Sequence, residues 1–465
     1  MDAPHHASTR QAAIVLGAIA LTAALFKLTF APPLSAGPYT LRMSPIIHAN
    51  VAAALSGHWT ALLLPFAYEG SRNFWATTAI FPMYFSENIL GPYGSYIFWS
   101  TLFLVVSFIC AYICVNSLTF VATLTFMFAF GTQLHYVYTY GNLVALYLVL
   151  TYIAVNLTVA YLFLVGRIHG VGAVAAFAIT LAVTALSNEM WINYATALLA
   201  GGLFACLWAH RHALPMMRAR SLALFCATFF VLVAYLAIRL RLVSEYLHPG
   251  SEEELVITYR HKMLLIDDLI VNFFTLLYMV IDNYFPSFVS SSNSLTYLGT
   301  DTILAEQNGF EPAFQNLIIM NHLFLWRFYA GVMVAAFIAF AAFVGWRAWR
   351  EPSRRSAALA GLCLMIMAGF STHLSIKMRY YNSVPALPYK VIISVSLFTI
   401  LIAYLLAACS NHFHSRRVYR ATVAAVWACV LLAALTRPAM YDRLLAQVHL
   451  EGFSDPMGQI MQFLR

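Results

Sequence analysis

Long apolar runs recur through this chain and limit what it can fold into. Runs of about 17 to 25 residues match the helix length that crosses a bilayer's hydrocarbon core. They fall near 12–31, 95–115, 117–131, 142–165, 171–187, 190–209, 221–240, 326–346, 357–376, 391–410 and 419–436, each bounded by charge, Pro or Asn. The 117–131 run is short for a span. In hydrocarbon every backbone N–H and C=O must be paired within its own segment, so runs of this length fold as helices. Eleven of them predict an all-α polytopic membrane protein. No internal repeat or low-complexity linker divides it, so 1–465 reads as a single transmembrane domain.

Composition excludes the other broad classes. The chain is 62% hydrophobic and only 9% charged, against about 25% charged in average soluble proteins. Too little polar surface is left to cover such a core in water. That rules out a soluble globular protein, a disordered chain and a nucleic-acid binder. The seven cysteines (Cys110, Cys114, Cys206, Cys226, Cys363, Cys409 and Cys429) all lie in apolar runs and read as small packing residues. The first run starts after Arg10 and meets no small-residue cleavage site before Ala31-Pro32-Pro33. It reads as a retained span rather than a signal peptide.

Charge sets the orientation. With the N-terminus inside, the cytoplasmic segments carry Arg10, Arg167, Arg211, Arg218, Arg220, Arg347, Arg350, Arg354, Arg355, Arg416, Arg417 and Arg420, against only Asp2 and Glu351. Cytoplasmic segments retain an excess of Lys and Arg, and the reverse orientation would violate that rule. The net +8 is therefore a topology signal before it is a partner signal.

Two long segments then face outward. Segment 32–94 is the first outer loop. It holds interrupted apolar runs near 50–67, broken by Ser56, His58 and Trp59, and near 74–90, broken by Pro82, Glu87 and Asn88. They read as two helices lying in the interface, or as a hairpin of spans, with Trp75, Tyr84, Tyr93, Tyr96 and Trp99 suited to the membrane–water boundary. Segment 241–325 is the second large outer loop, with Glu252-Glu253-Glu254, the apolar stretch Leu264–Ile281 and a Ser/Asn run at 290–294. The tail 437–465 also falls outside.

This layout resembles the GT-C superfamily of polyprenyl-phosphate-sugar-dependent glycosyltransferases, with a span count similar to that of protein O-mannosyltransferases. The turn Leu186-Ser187-Asn188-Glu189-Met190 is similar to the Ser/Thr-Lys-Glu turn of several such enzymes, with Asn188 at the usual Lys position. The family's acidic residue just after span one has no counterpart in Pro38-Tyr39-Thr40-Leu41-Arg42-Met43. The resemblance implies an integral protein of a bacterial inner membrane with its active face outward. It implies a polyprenyl-phosphate-linked sugar donor and a glycan, lipid or protein acceptor.

Inverting glycosyl transfer needs a carboxylate to take the acceptor's proton and cations to hold the leaving phosphate. Glu69, in Tyr68-Glu69-Gly70-Ser71-Arg72-Asn73, is the first choice of base; its plainer reading is a loop carboxylate paired with Arg72. Glu87 and the adjacent Asp267 and Asp268 are alternatives. Lys377, Arg379 and Lys390 are the leading phosphate ligands, since they run against an outer surface that is otherwise net acidic. Interfacial snorkelling accounts for them as well. Arg72, His261 and Lys262 are further cations. His58, His135, Tyr136, Tyr380 and Tyr381 could contact acceptor or sugar, though aromatics also suit an interface and His58 reads first as a buried, hydrogen-bonded histidine. No HxxxH or HxxEH spacing occurs among the histidines, so no dedicated zinc site is expected; no cofactor is predicted, and a divalent metal stays open as an alternative. A polymerase or ligase of lipid-linked glycans would use the same cations without that base. A transporter or non-catalytic scaffold is the third class, and it would place ionisable groups at span centres.

Overall fold

Apolar residues with few side-chain hydrogen-bonding groups leave a backbone in lipid one way to satisfy itself, which is the α-helix. The computed structural model describes residues 9–30, 51–58, 77–115, 118–130, 143–187, 191–246, 420–432 and the single positions 339, 346, 417 and 435. Among the described residues there is no strand. The helices are α1 (Thr9–Phe30), α2 (Thr77–Val115), α3 (Leu118–Phe130), α4 (Leu143–Val165), α5 (Val171–Ala185), α6 (Trp191–Arg211) and α7 (Pro215–Tyr246), with a C-terminal α8 (Arg420–Leu432). Three segments are long and apolar enough to cross a membrane: Ile97–Cys114, Tyr147–Val165 and Pro215–Ile238. Shorter apolar helices lie at Arg10–Leu25, Val121–Phe130, Val171–Ala185 and Arg420–Leu432.

Most boundaries fall where the apolar runs end. The short 117–131 run is a helix, α3. The run read as 221–240 begins earlier, at Pro215. Proline at a first helical position has no N–H to lose, and its ring already holds the helical φ. Arg218 and Arg220 therefore lie inside the first turns of α7. The runs at 326–346, 357–376 and 391–410 lie outside the described residues apart from the single positions 339 and 346, as does the tail 437–465.

Helix α2 packs along α4, and α6 along α7. Helices α1 and α3 join the α2 side, while α5 fills the angle between α4 and α7. The largest fully buried side chains include Trp191, Trp208, Tyr147, Tyr194, Phe103 and Phe177. Helix α8 docks on α3, where Trp427 stacks on Phe126 at 4.6 Å and donates its indole N–H to Thr123 Oγ1 at 3.2 Å. The five described cysteines are free thiols.

One polar group crosses three helices. Asn156, on α4, is fully buried. Its amide donates to the Phe177 carbonyl at 3.0 Å and to Thr180 Oγ1 at 2.7 Å, both on α5. Its carbonyl oxygen accepts from the Tyr194 hydroxyl of α6 at 2.6 Å. Every polar atom of the amide faces a partner, as a buried amide requires.

Helix ends repeat one device. Gly166 N–H meets the Phe163 carbonyl and Arg167 N–H the Leu162 carbonyl, with Gly166 at φ 78. This is the Schellman stop, which closes orphan carbonyls and requires a left-handed residue. The same pattern ends the 51–58 segment at Gly57, φ 102, and α6 at Ala213, φ 52. Leu214 there packs with Trp208, Ala209 and Met217. Alanine in the left-handed region carries a Cβ penalty that glycine lacks. Ala213→Gly is expected to stabilise the protein by about 1 kcal/mol, read from the SDS-unfolding midpoint of the purified protein.

Proline inside α2 is accommodated by a neighbour. Pro82 has no N–H, so the carbonyl four residues back, on Thr78, loses its helical partner. The Tyr152 hydroxyl of α4 donates to that Thr78 carbonyl at 2.8 Å. Thr78 Oγ1 in turn donates to the Val183 carbonyl at 3.1 Å, one of the unpaired carbonyls at the end of α5. Tyr152→Phe strands a part-buried carbonyl and is expected to cost about 1–3 kcal/mol. An unchanged unfolding midpoint would show that another donor takes its place.

Candidate functional site: the buried corner of α2

Leu90-Gly91-Pro92 divides α2 into two helical arms. The residue before proline is pushed out of helical geometry, and Gly91 takes φ 70, ψ 169, a region essentially restricted to glycine. The bend is sharp. Residues nine apart on a straight helix are separated by about 14 Å along its axis, yet the hydroxyls of Ser86 and Ser95 stand 2.6 Å apart across it.

Three side chains hold the corner closed. Ser86 Oγ donates to the Met83 carbonyl at 3.0 Å, which leaves Ser95 as donor to Ser86. The Trp99 indole N–H also donates to Ser86 Oγ, at 2.9 Å. Ser86 and Ser95 are both buried. Phe98 meets the Trp99 ring edge-on at 5.1 Å.

Glu87 follows Ser86 directly and is only 7% exposed. Among the residues whose side chains are described, it is the one carboxylate. Taking a carboxylate out of water costs several kcal/mol unless partners compensate. Backbone conformations restricted to glycine, such as that of Gly91, cluster at active sites and ligand clamps. The corner can therefore present a carboxylate, shielded from bulk water, at the end of the 92–115 arm remote from the α4–α5 turn. That carboxylate is suited to accepting a proton from a bound hydroxyl.

Of the residues singled out from sequence, Glu87 lies in this corner and His58 lies elsewhere. His58 is exposed. It follows the left-handed Gly57, and its N–H closes the Schellman turn on the Ala53 carbonyl at 2.9 Å. The reading of His58 as a buried histidine is thus corrected: a residue just past a helix stop is carried outward by the turn. Glu69, Arg72, His135, Tyr136, His261, Lys262, Asp267, Asp268, Lys377, Arg379, Tyr380, Tyr381 and Lys390 lie outside the described residues. In the 186–190 turn, Ser187 is buried and donates to the Thr184 carbonyl at 2.6 Å, while 188–190 lie outside the described residues. Sequence reading did not single out Ser95 as a partner of Ser86. Gly91-Pro92 was the available signal, because a break there folds residues nine apart onto each other. Compared with protein-family models, curated proteins and solved structures, the chain matches none.

Proposed function

We propose that this chain is a membrane glycosyltransferase that moves a sugar from a polyprenyl-phosphate-linked donor to an acceptor on the outer face of a bacterial inner membrane. The reading takes eleven spans with the N-terminus inside. The observation that carries it is the buried Glu87 at the α2 corner, a carboxylate shielded from bulk water beside the Gly91 bend. The layout of two long outer segments supports it, as do the outer cations Lys377, Arg379 and Lys390. In this scheme Glu87 or Glu69 takes the acceptor's proton and the cations hold the departing phosphate.

The test is turnover of a panel of polyprenyl-phosphate sugars by the purified protein in lipid nanodiscs, followed by release of polyprenyl phosphate. Release that depends on the acceptor supports the reading. Absence of both turnover and binding across the panel would overturn it. Loss of activity on changing Lys377 and Arg379, with both glutamates dispensable, would move the assignment to a polymerase or ligase of lipid-linked glycans.

A further inference from the structure

Among the described residues, the end of the bundle opposite Gly91 gathers cations without carboxylates. Helices α4 and α5 are joined there by the Gly166 turn, and α6 and α7 by the Ala213 turn. Arg167, His169, His210, Arg211 and Arg218 are exposed on these turns, and Arg220 is half-buried between them. From Gly166 to Ser221 the sequence holds one carboxylate, Glu189, which lies outside the described residues.

A general preference for basic residues on one side explains the sign of this cluster but not its fixed geometry. The Arg220 guanidinium lies directly over Gly166, where a Cβ would collide with Nη1, Cζ and Nη2. Gly166 thus supplies two things at once: a left-handed turn and the space in which a guanidinium from another helix is seated. Arg167 Nη1 donates to the Ile113 carbonyl at 2.7 Å, closing the end of α2 and fixing a second guanidinium beside the first turn. Arg218 Nη1 contacts His210 Nδ1 at 3.2 Å, so one basic group leans on another. Among the described residues no carboxylate faces Arg220. Positive groups held this close repel each other unless an anion lies among them.

Apolar surface adjoins the charge. Val171, the first residue of α5, is 86% exposed, and Met216, in the first turn of α7, is 64% exposed. A ligand that satisfies both features has a phosphate head and an apolar tail. Guanidinium forks match phosphate oxygens in pairs.

We infer that the Gly166 and Ala213 turns form a headgroup site for an anionic phospholipid of the cytoplasmic leaflet, with Arg220 and Arg167 on the phosphate and Val171 and Met216 against the acyl chains. This site is independent of the glycosyl-transfer reading, and its test needs no enzymatic activity.

The full-length protein, purified in mild detergent, is offered phosphatidylglycerol and phosphatidylcholine in equal amounts, and retained lipid is read by native mass spectrometry. The wild type is expected to favour phosphatidylglycerol. Arg220→Gln should lower its retention about five-fold, the effect of one cation near an anionic surface, while phosphatidylcholine is unchanged. Arg220→Lys, which keeps the charge and loses the fork, should recover part of it. The exposed Arg218→Gln serves as a second variant if Arg220→Gln does not fold, with the same direction of change. Equal retention of the two lipids by the wild type would overturn the inference. So would unchanged phosphatidylglycerol retention in the arginine variants. Displacement of the lipid by inorganic phosphate at millimolar concentration would assign the cluster to a free anion and also overturn it.

Discussion

Glu87→Gln is expected to lower sugar transfer by about 10²-fold or more, the usual contribution of a general base, while the protein folds as before. Glutamine keeps the volume and hydrogen-bonding reach of the side chain but cannot accept the acceptor's proton. Folding should survive because glutamine matches the shape of glutamate and keeps an acceptor oxygen at the same place. The measurement is release of polyprenyl phosphate by purified protein, with the unfolding midpoint recorded on the same sample. Glu69→Gln is the paired experiment. Full activity in Glu87→Gln together with loss in Glu69→Gln would transfer the role of base to Glu69. Loss in Glu87→Gln alone would keep it at the α2 corner.

Gly91→Ala is expected to destabilise the protein by about 1–3 kcal/mol, the cost of holding a non-glycine residue in that backbone region. No atom lies within 4 Å of where the new Cβ would go, so the effect comes from the backbone alone. Relief of that strain opens the corner. It parts Ser86 from Ser95 and removes the Trp99 hydrogen bond, so transfer should fall along with stability and tryptophan emission should shift. A variant as stable and as active as the wild type would show that the corner does not depend on glycine. Gly166→Ala tests a different mechanism, because there the Cβ also meets the Arg220 guanidinium.

Much of the helical plan was legible in the sequence, because hydrocarbon imposes a single solution on an apolar backbone. The run at 142–165 became Leu143–Val165, and 190–209 became Trp191–Arg211. The start of α7 was misplaced by six residues: Arg218 and Arg220 looked like a loop, whereas Pro215 had already begun the helix. The tertiary pairings were less legible. Asn156 stood unremarked in an apolar run, and only the packing of α4, α5 and α6 gives its amide three partners. Pro82 read as a break in an apolar run, yet the helix continues through it because a tyrosine 70 residues later supplies the missing donor. Glu87 ranks behind Glu69 in the sequence, because Ser86-Glu87-Asn88 reads equally as a helix end. The bend at Gly91 that brings Ser86, its neighbour, onto Ser95 is not displayed by sequence spacing.

The pairing of Tyr152 with the Thr78 carbonyl also orders the birth of the protein. During insertion the N-terminal arm of α2 emerges before α4 exists, with one carbonyl that no residue of its own helix can satisfy. At the membrane–water boundary water can hold that carbonyl until α4 arrives, and burying it then requires the Tyr152 hydroxyl. Docking of the arm on α4 is thus tied to one proline and one hydroxyl. A shortened chain that ends before Tyr152 should keep the arm exposed to protease, while one that extends through α5 should protect it.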